Sequence, residues 1–242
     1  KGPKGIDYHR VLEQFRSEPI SADLLERFQR VVEKRHAAVS GSCSKPPPLH
    51  PLLRRGTAFS HRDLHLILDD LEANRTVYLY TGRGPSASTM HVGHVIPFVL
   101  TKYLQDALLC PLVIQITDDE KFLFRDIPLP SMDKMCLNNI KDIIAFGFNP
   151  DRTFIFRNSH YMGDLYPTVL EVQRCITTNA AKNTFGLSDS DNIGKMAFVA
   201  TQAAPAFVSA FRRVLPVKGH NMKCLIPCAI DQDPFFVLTR GV

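Results

Sequence analysis

A chain of 242 residues, 45% hydrophobic and 22% charged, is long enough to bury a sizeable core, which excludes a disordered or fibrous protein. Its net charge of +5 permits an anionic partner such as RNA or ATP, but the excess is too small to identify one. With no apolar run of about 18 residues and no signal peptide, we expect a soluble protein without a membrane partner. The six scattered cysteines lack a C-x-x-C pair, which favours free thiols in the cytoplasm and no structural metal.

The first 51 residues are expected to form a helical extension and a linker. Residues 6–38 have helical spacing, with Ser21 as a candidate N-cap. Residues 39–51 combine small residues with a proline run, as linkers do. Ser60 is the candidate N-cap of a further helix over residues 61–72.

From residue 77 onward the pattern alternates between strands and helices. We expect strands at 77–81, 111–117, 153–156 and 223–230, and helices at 91–108 and about 132–146, 164–178 and 199–212. Such alternation predicts an α/β fold, a parallel sheet with helices on both faces. The last strand, with Cys224 and Cys228 as small buried thiols, is expected to be buried on both faces. Ligands of such sheets bind beyond the carboxyl ends of the strands, which here are residues 80–84, 115–121 and 231–233.

The most informative segment runs from Tyr80 to His94 and reads Tyr-Thr-Gly-Arg-Gly-Pro-Ser-Ala-Ser-Thr-Met-His-Val-Gly-His. A strand here leads through a Gly-rich turn into a helix, whose free N–H groups and positive dipole end suit a phosphate. His91 and His94 lie on one face of the first helical turn, and Gly93 leaves room for a base or ribose. The segment is therefore predicted to be a nucleotide site.

The second strand ends in an acidic cluster within residues 115–121. Its carboxylates could bind Mg²⁺, cap the next helix or receive a substrate ammonium, and capping explains the two aspartates equally well. Glu120 is more suggestive beside Gln202 and Gln232, because a charged amine needs a carboxylate and neutral acceptors around it.

Three further polar residues have two interpretations each. Asp231 is either the N-cap of the helix after Pro234 or an acceptor for a ribose hydroxyl. Gln202 is a long amide in a small, apolar segment, so its side chain needs a partner if it is buried, and a ligand is one candidate. Tyr80 is either a core residue or a hydroxyl group that reaches into a pocket.

These motifs resemble a known family. Residues 91–94 are similar to the H-I-G-H motif of class I aminoacyl-tRNA synthetases, with Val in place of Ile. Residues 80–86, 115–121 and 228–234, together with Leu53–Leu64, resemble eukaryotic-type tryptophanyl-tRNA synthetases. The resemblance covers the chain from about residue 52 onward and, more weakly, the first helices.

The resemblance implies a Rossmann-like catalytic domain over residues 52–242, preceded by the extension of residues 1–51. Within this domain, residues of about 121–220 correspond to a helical insertion that implies a homodimer. The implied reaction joins tryptophan and ATP, with its Mg²⁺, into tryptophanyl-adenylate, and then transfers tryptophan to tRNA(Trp).

The resemblance also implies roles for individual residues. The catalytic residues would be His91, Gly93 and His94. ATP would be bound by Gly82, Arg83, Gly84, His91, Gly93, His94 and Asp231. Tryptophan would be bound by Tyr80 and Gln115 at its indole N–H, and by Glu120, Gln202 and Gln232 at its α-amino group, with Lys121 alongside.

One motif of the family is absent from the sequence. A K-M-S-K-S-like loop, whose lysine neutralises pyrophosphate, would follow the last predicted strand, and the chain ends at Val242 within a helical pattern that follows Pro234. Since it also starts at Lys1 rather than Met, we expect a catalytic domain that is incomplete at its C-terminus. Such a chain should bind tryptophan but activate it poorly or not at all.

Three alternatives stay open. A tyrosyl-tRNA synthetase shares the fold, although an indole fits Tyr80 and Gln115 better than a phenol does. A non-catalytic synthetase fragment could act as a binding or signalling module. A generic nucleotidyltransferase would explain residues 80–94 but not the three glutamines Gln115, Gln202 and Gln232.

Overall fold

The computed structural model describes residues 8–39, 45–125, 127–215 and 222–242, which form two units. The first unit contains the chain up to Arg75 together with Asp106–Leu109, and the second contains Thr76–Gln105 and Cys110–Val242. Within the described ranges, no helix is both long and apolar enough to cross a bilayer. Residues 6, 7 and 40–44 of the predicted first helix and linker lie outside the described residues.

The first unit consists of short helices and one small sheet. Its elements are α1 (Tyr8–Phe15), β1 (Glu18–Pro19), α2 (Ala22–Ala38), α3 (Pro51–Arg54), β2 (Ser60–His61) and α4 (Leu64–Glu72). The predicted cap of α2 is confirmed, since the Ser21 side chain accepts the N–H of Leu24 at 3.2 Å. Arg27 of α2 then binds carboxylates of α4 at 2.6 Å.

The helical region expected over residues 6–38 consists of α1 and α2, which are separated by Arg16, with its left-handed backbone (φ +50°), and by β1. One prediction for this unit is wrong. Ser60 does not cap a helix, because its backbone pairs with Pro19 in the small antiparallel sheet. The helix begins only at Leu64, after Asp63 takes a left-handed conformation at the N-cap position.

The second unit has a four-stranded parallel sheet. Its strands are β3 (Tyr78–Arg83), β4 (Leu112–Ile116), β5 (Thr153–Arg157) and β6 (Cys224–Leu225), in the order β5-β4-β3-β6. The helices are α5 (Val92–Leu108), α6 (Asp118–Phe124), α7 (Leu129–Ala145), α8 (Asn158–Cys175), α9 (Thr178–Phe185), α10 (Ile193–Ala203) and α11 (Asp233–Arg240). Every residue of β4 is buried, as its apolar run predicts. The predicted α/β fold is confirmed.

The register of the sheet places the predicted ligand segments together. Gly82 of β3 pairs with Gln115 of β4, and Arg83 pairs with Ile116, so both strands end at the same level. The carboxyl ends of parallel strands therefore bring residues 80–84 and 115–121 to one edge, as expected.

The last third of the chain differs more from the prediction. The strand expected at 223–230 is only Cys224–Leu225, since Pro227 has no N–H to donate to a sheet. It is partly rather than fully buried, and Cys228 is exposed. The helix expected at 199–212 is α10, which ends at Ala203 before Pro205 and two 3₁₀ turns.

Candidate functional site

A buried chain of hydrogen bonds crosses the carboxyl ends of β3 and β4. The Tyr80 hydroxyl lies 2.6 Å from Gln115 Oε1 and 3.1 Å from the main-chain oxygen of Gln202. The other end of the Gln115 carboxamide donates through Nε2 to Asn158 Oδ1 at 2.9 Å and to the Thr201 main-chain oxygen at 3.1 Å. Both protons of this amide are thereby used, so its oxygen faces Tyr80.

The environment of Tyr80 keeps its phenol neutral. The residue is 2% exposed, and burial raises the pKa of its hydroxyl well above the usual range. The ring of Phe236 in α11 packs against it edge-on, at a centroid distance of 6.0 Å. A neutral phenol with one proton already donated still has lone pairs that can accept.

Asn158 continues the chain of hydrogen bonds to a carboxylate. Its Nδ2 donates to Asp119 Oδ1 at 2.7 Å, and the same oxygen accepts the main-chain N–H of Glu120 at 2.9 Å. Burial raises the pKa of Asp119 to about 6, although these two hydrogen bonds act in the opposite direction. Above that pH the Asp119 side chain can only accept.

The neighbouring Asp118 is occupied in the core. Its carboxylate accepts from Arg157 Nη2 at 3.0 Å and from the main-chain N–H of Ser159 at 3.1 Å, at the start of α8. The residue is 3% exposed. Asp118 therefore joins α6 to the end of β5, and both of its oxygens accept hydrogen bonds from protein groups.

Glu120 and Lys121 form a polar cluster against the turn that follows β3. The Glu120 carboxylate accepts from the Thr117 hydroxyl at 2.7 Å and from Lys121 Nζ at 2.5 Å. A Cβ atom at Gly84 would lie 2.5 Å from Glu120 Oε2 and would also overlap the Lys121 side chain. Glycine at position 84 thus allows both charged groups to approach the backbone.

The two histidines lie where helix α5 begins. The rings of His91 and His94 are stacked with centroids 3.6 Å apart, and a Cβ atom at Gly93 would lie 3.1 Å from the His91 ring. Burial, with the charges of Arg83, His91 and Lys121, lowers the pKa of His94 to about 4. His94 is therefore neutral at pH 7, and its buried Nδ1 has no hydrogen-bond partner among the described residues.

Arg83 is buried at the end of β3. Its Nε donates to Asn139 Oδ1 at 3.0 Å, and Asn139 in turn donates to the main-chain oxygen of Ala87 at 2.7 Å. The Arg83 side chain is 7% exposed, and its Nη2 has no hydrogen-bond partner within the described part of the chain. Burial lowers the pKa of the guanidinium, which remains charged at neutral pH.

The remaining predicted residues are less enclosed. Gln202 contacts Tyr80 through its main-chain oxygen, and its side chain is half-buried. Gln232 Nε2 donates to Asp231 Oδ2 at 3.1 Å, on a 3₁₀ turn at Ile230–Gln232. Asp231 is exposed, and the N-cap position of α11 belongs to Gln232, so the capping interpretation of Asp231 is wrong.

Two asparagines of this region were not predicted from the sequence. Asn158 follows Arg157, the last residue of β5, so the rule of carboxyl strand ends could have selected it. Asn139 is fully buried in the middle of α7, and helical spacing gives no indication of its partners. The described residues contain no group of three or more His, Cys, Asp or Glu side chains that could hold a metal.

The chain is similar to known proteins over nearly its whole length. The family model for class I tRNA synthetases (W and Y) matches residues 72–184. The cytoplasmic tryptophan–tRNA ligase of Dictyostelium discoideum is 48% identical over 98% of this chain and 57% of its own length. The corresponding protein of Schizosaccharomyces pombe is 50% identical over 99% of this chain and 58% of its own length. The chain thus spans little more than half of these relatives.

Solved structures agree with the sequence relatives. Tryptophanyl-tRNA synthetase from Trypanosoma brucei matches with a TM-score of 0.87 and 50% identity, covering 97% of this chain and 67% of that one. The enzyme from Encephalitozoon cuniculi, bound to tryptophan, matches with a TM-score of 0.88 and 43% identity, covering 98% and 61%. The chain belongs to the class I tRNA synthetases of the tryptophan and tyrosine family, and within it to the tryptophanyl-tRNA synthetases.

Proposed function

We propose that this chain supplies the tryptophan- and ATP-binding part of a tryptophan–tRNA ligase. The observation that carries the proposal is the buried pair of Tyr80 and Gln115, whose oxygens lie 2.6 Å apart. Because both amide protons of Gln115 point away from Tyr80, the pair presents oxygen atoms and can accept a hydrogen bond from an indole N–H.

The polar cluster around Glu120 suits the amino-acid end of the substrate. A substrate ammonium placed beside the Glu120 carboxylate would form a charge-assisted hydrogen bond, with Gln202 and Gln232 as neutral partners. Lys121, which already lies 2.5 Å from Glu120, offsets the carboxylate charge and can attract the substrate carboxylate. Gly84 leaves the room that this arrangement needs.

The start of α5 and the end of β3 are the proposed ATP site. The proposed contacts are Gly82, Arg83, Gly84, His91, Gly93, His94 and Asp231. ATP is taken with Mg²⁺, which carries mostly phosphate and water oxygens as ligands. The unpartnered groups described for Arg83 and His94, together with the positive end of α5, suit the charge of the phosphates.

The chemistry of the first step follows from these contacts. A carboxylate oxygen of tryptophan attacks the α-phosphorus of ATP, and the bond to pyrophosphate breaks. Charge develops on the α-phosphate and on the departing pyrophosphate, so the protein contributes positioning and electrostatic stabilisation. In the second step a hydroxyl at the tRNA(Trp) 3′ end attacks the activated carbonyl and releases AMP.

Partners and location follow from membership of the family. The relatives named above are cytoplasmic ligases, which supports the same location for this protein. Binding of tRNA(Trp) is proposed on the same ground, and a homodimer is proposed because residues of about 121–220 resemble the helical insertion of the family. The relatives do not favour the tyrosine alternative.

The absence of tryptophan from the chain gives a direct test. Free tryptophan is then the only indole fluorophore, so its fluorescence anisotropy reports binding to this 27.2 kDa protein. We expect a saturable rise that excess tyrosine does not reverse. No rise, or full reversal by an equal amount of tyrosine, would contradict the proposal.

A further inference from the structure

A carboxamide recognises an N–H group only if its oxygen faces that group. The oxygen and nitrogen ends of Gln115 have nearly the same shape, so sterics alone do not choose between them. Hydrogen bonds make the choice. The Gln115 Nε2 lies between two acceptors, Asn158 Oδ1 at 2.9 Å and the Thr201 main-chain oxygen at 3.1 Å.

The Asn158 carboxamide could also be turned either way, with its oxygen or its nitrogen toward Gln115, and Asp119 decides between the two orientations. An ionised carboxylate has no proton to donate, so the Asn158 side chain must turn its Nδ2 toward Asp119 and its oxygen toward Gln115. The acceptor itself is fixed, because Asp119 Oδ1 also receives the main-chain N–H of Glu120 at 2.9 Å. Donation therefore runs in one direction, from Gln115 through Asn158 to Asp119.

We propose that Asn158 and Asp119 are positioning residues that turn the Gln115 oxygen toward the ligand, and thereby set the preference for a ring that carries an N–H group. This inference rests on the proposed function of the Tyr80–Gln115 pair. Asn158 and Gln115 are both fully buried, so water cannot replace a lost partner without entering the core. The Thr201 main-chain oxygen keeps one restraint on Gln115 when Asn158 is removed.

The test compares two ligands of nearly equal shape. One is tryptophan, and the other is its analogue with sulfur in place of the indole N–H. In Asn158→Leu and Asp119→Ala we expect the Kd for tryptophan to rise about tenfold, the worth of one net hydrogen bond. The Kd of the sulfur analogue can be measured by its displacement of fluorescent tryptophan. It should change less than about twofold, because the analogue has no N–H to donate to the Gln115 oxygen.

Asp119→Asn is the matched control. The Glu120 N–H still requires an acceptor at the same place, so the new amide turns its oxygen there and Asn158 keeps its direction. This variant should retain the wild-type preference for tryptophan over the sulfur analogue. Urea unfolding of all three variants checks that each is folded. If Asn158→Leu does not fold, the two variants at position 119 still test the proposal, because Asp119 is only half-buried.

Several results would overturn the inference. Unchanged Kd values for both ligands in both Asn158→Leu and Asp119→Ala would show that these residues do not direct Gln115. Equal weakening of both ligands would assign them a purely structural role. If the wild-type chain binds no tryptophan, the proposed function fails as well, and this result is distinct because it needs no variant.

Discussion

The amino-acid side and the nucleotide side of the proposed site differ in how many of their polar groups already have hydrogen-bond partners within the protein. On the amino-acid side, Tyr80, Gln115 and Asn158 are buried and hydrogen-bonded to one another. On the nucleotide side, His91 is exposed, and polar nitrogens of Arg83 and His94 have no partner among the described residues. On the first side the polar groups are therefore paired with one another, whereas on the second side two nitrogens stay unpaired within the described part of the chain.

The difference follows from what each side has to recognise. An indole differs from a ring of nearly the same shape by its one N–H group, and a site discriminates by such a group only if its acceptors cannot rearrange to suit a competitor. Phosphates carry several charges and move during the reaction, so donors that are not yet used are an advantage there. A buried donor without a partner costs the free protein about 1–3 kcal/mol, which a ligand can return.

The largest expected effect comes from removing the Gln115 oxygen that is proposed to accept the indole N–H. In Gln115→Leu the affinity for tryptophan should fall at least about a hundredfold, because the indole N–H loses its acceptor and the three polar partners of Gln115, namely Tyr80, Asn158 and Thr201, lose theirs. The variant should also lose about 2–4 kcal/mol of unfolding free energy. Fluorescence anisotropy and urea unfolding measure the two quantities.

Gln105→Leu is the control for this prediction. Gln105 is also fully buried and hydrogen-bonded, but its partners are Asn149, Arg152 and Thr153. It should lose stability while its affinity for tryptophan stays within about twofold, since none of its contacts belongs to the proposed site. An equal loss of affinity in both variants would mean that affinity merely follows stability.

Gly84→Ala should have the next largest effect. The added Cβ would lie 2.5 Å from Glu120 Oε2, so the carboxylate proposed to hold the substrate ammonium must move. We expect the Kd for tryptophan to rise about thirtyfold, the scale of losing one charge-assisted hydrogen bond. Gly163→Ala, where a Cβ meets nothing within 4 Å, should leave the Kd unchanged and raise helix stability by roughly 0.5–1 kcal/mol.

A smaller effect is expected from substitution of two tyrosines in the same strand, which can be compared directly. Tyr78 and Tyr80 lie on the same face of β3, and the hydroxyl of each lies near a main-chain oxygen, 3.0 Å from that of Pro205 for Tyr78 and 3.1 Å from that of Gln202 for Tyr80. Each Tyr→Phe change should cost about 1 kcal/mol of unfolding free energy. Only Tyr80→Phe should also weaken tryptophan binding, by about tenfold, and equal binding by both variants would place the ligand elsewhere.

The last prediction concerns the protonation of His94. Its pKa of about 4 lies below the ordinary 6.5, so between these values the unfolded chain binds more protons than the folded one. Stability from this group is complete above about pH 6.5 and is lost as the pH falls toward 4. NMR titration of the ring should show this low midpoint, and added ATP should raise it, because phosphate favours the imidazolium. A midpoint unmoved by ATP would remove His94 from the nucleotide site.

The sequence predicted the sheet and the edge at which residues 80–84 and 115–121 meet, because both depend on local patterns. Short apolar runs that alternate with helical segments predict a parallel sheet. Ligands of such sheets bind beyond the carboxyl ends of the strands, which selects the segments that contain Tyr80 and Gln115. Gly84 followed from the Gly-rich turn. These features are local in the chain, so they are visible without coordinates.

What the sequence did not predict depends on contacts between distant residues. Asn158 contacts Gln115 across 43 positions, and Arg83 contacts Asn139 across 56, which no periodicity encodes. The short β6 was overestimated because an apolar run suggests a strand even where Pro227 prevents pairing. Helix α6 was missed because its acidic first turn was assigned to a strand end.

A crystal structure of this chain with tryptophan tests the central claim most directly. We predict an indole nitrogen within about 3.2 Å of Tyr80 Oη or Gln115 Oε1, with Gln115 Nε2 still bonded to Asn158. An indole nitrogen that faces Gln115 Nε2, or a ring bound away from β3 and β4, would contradict it.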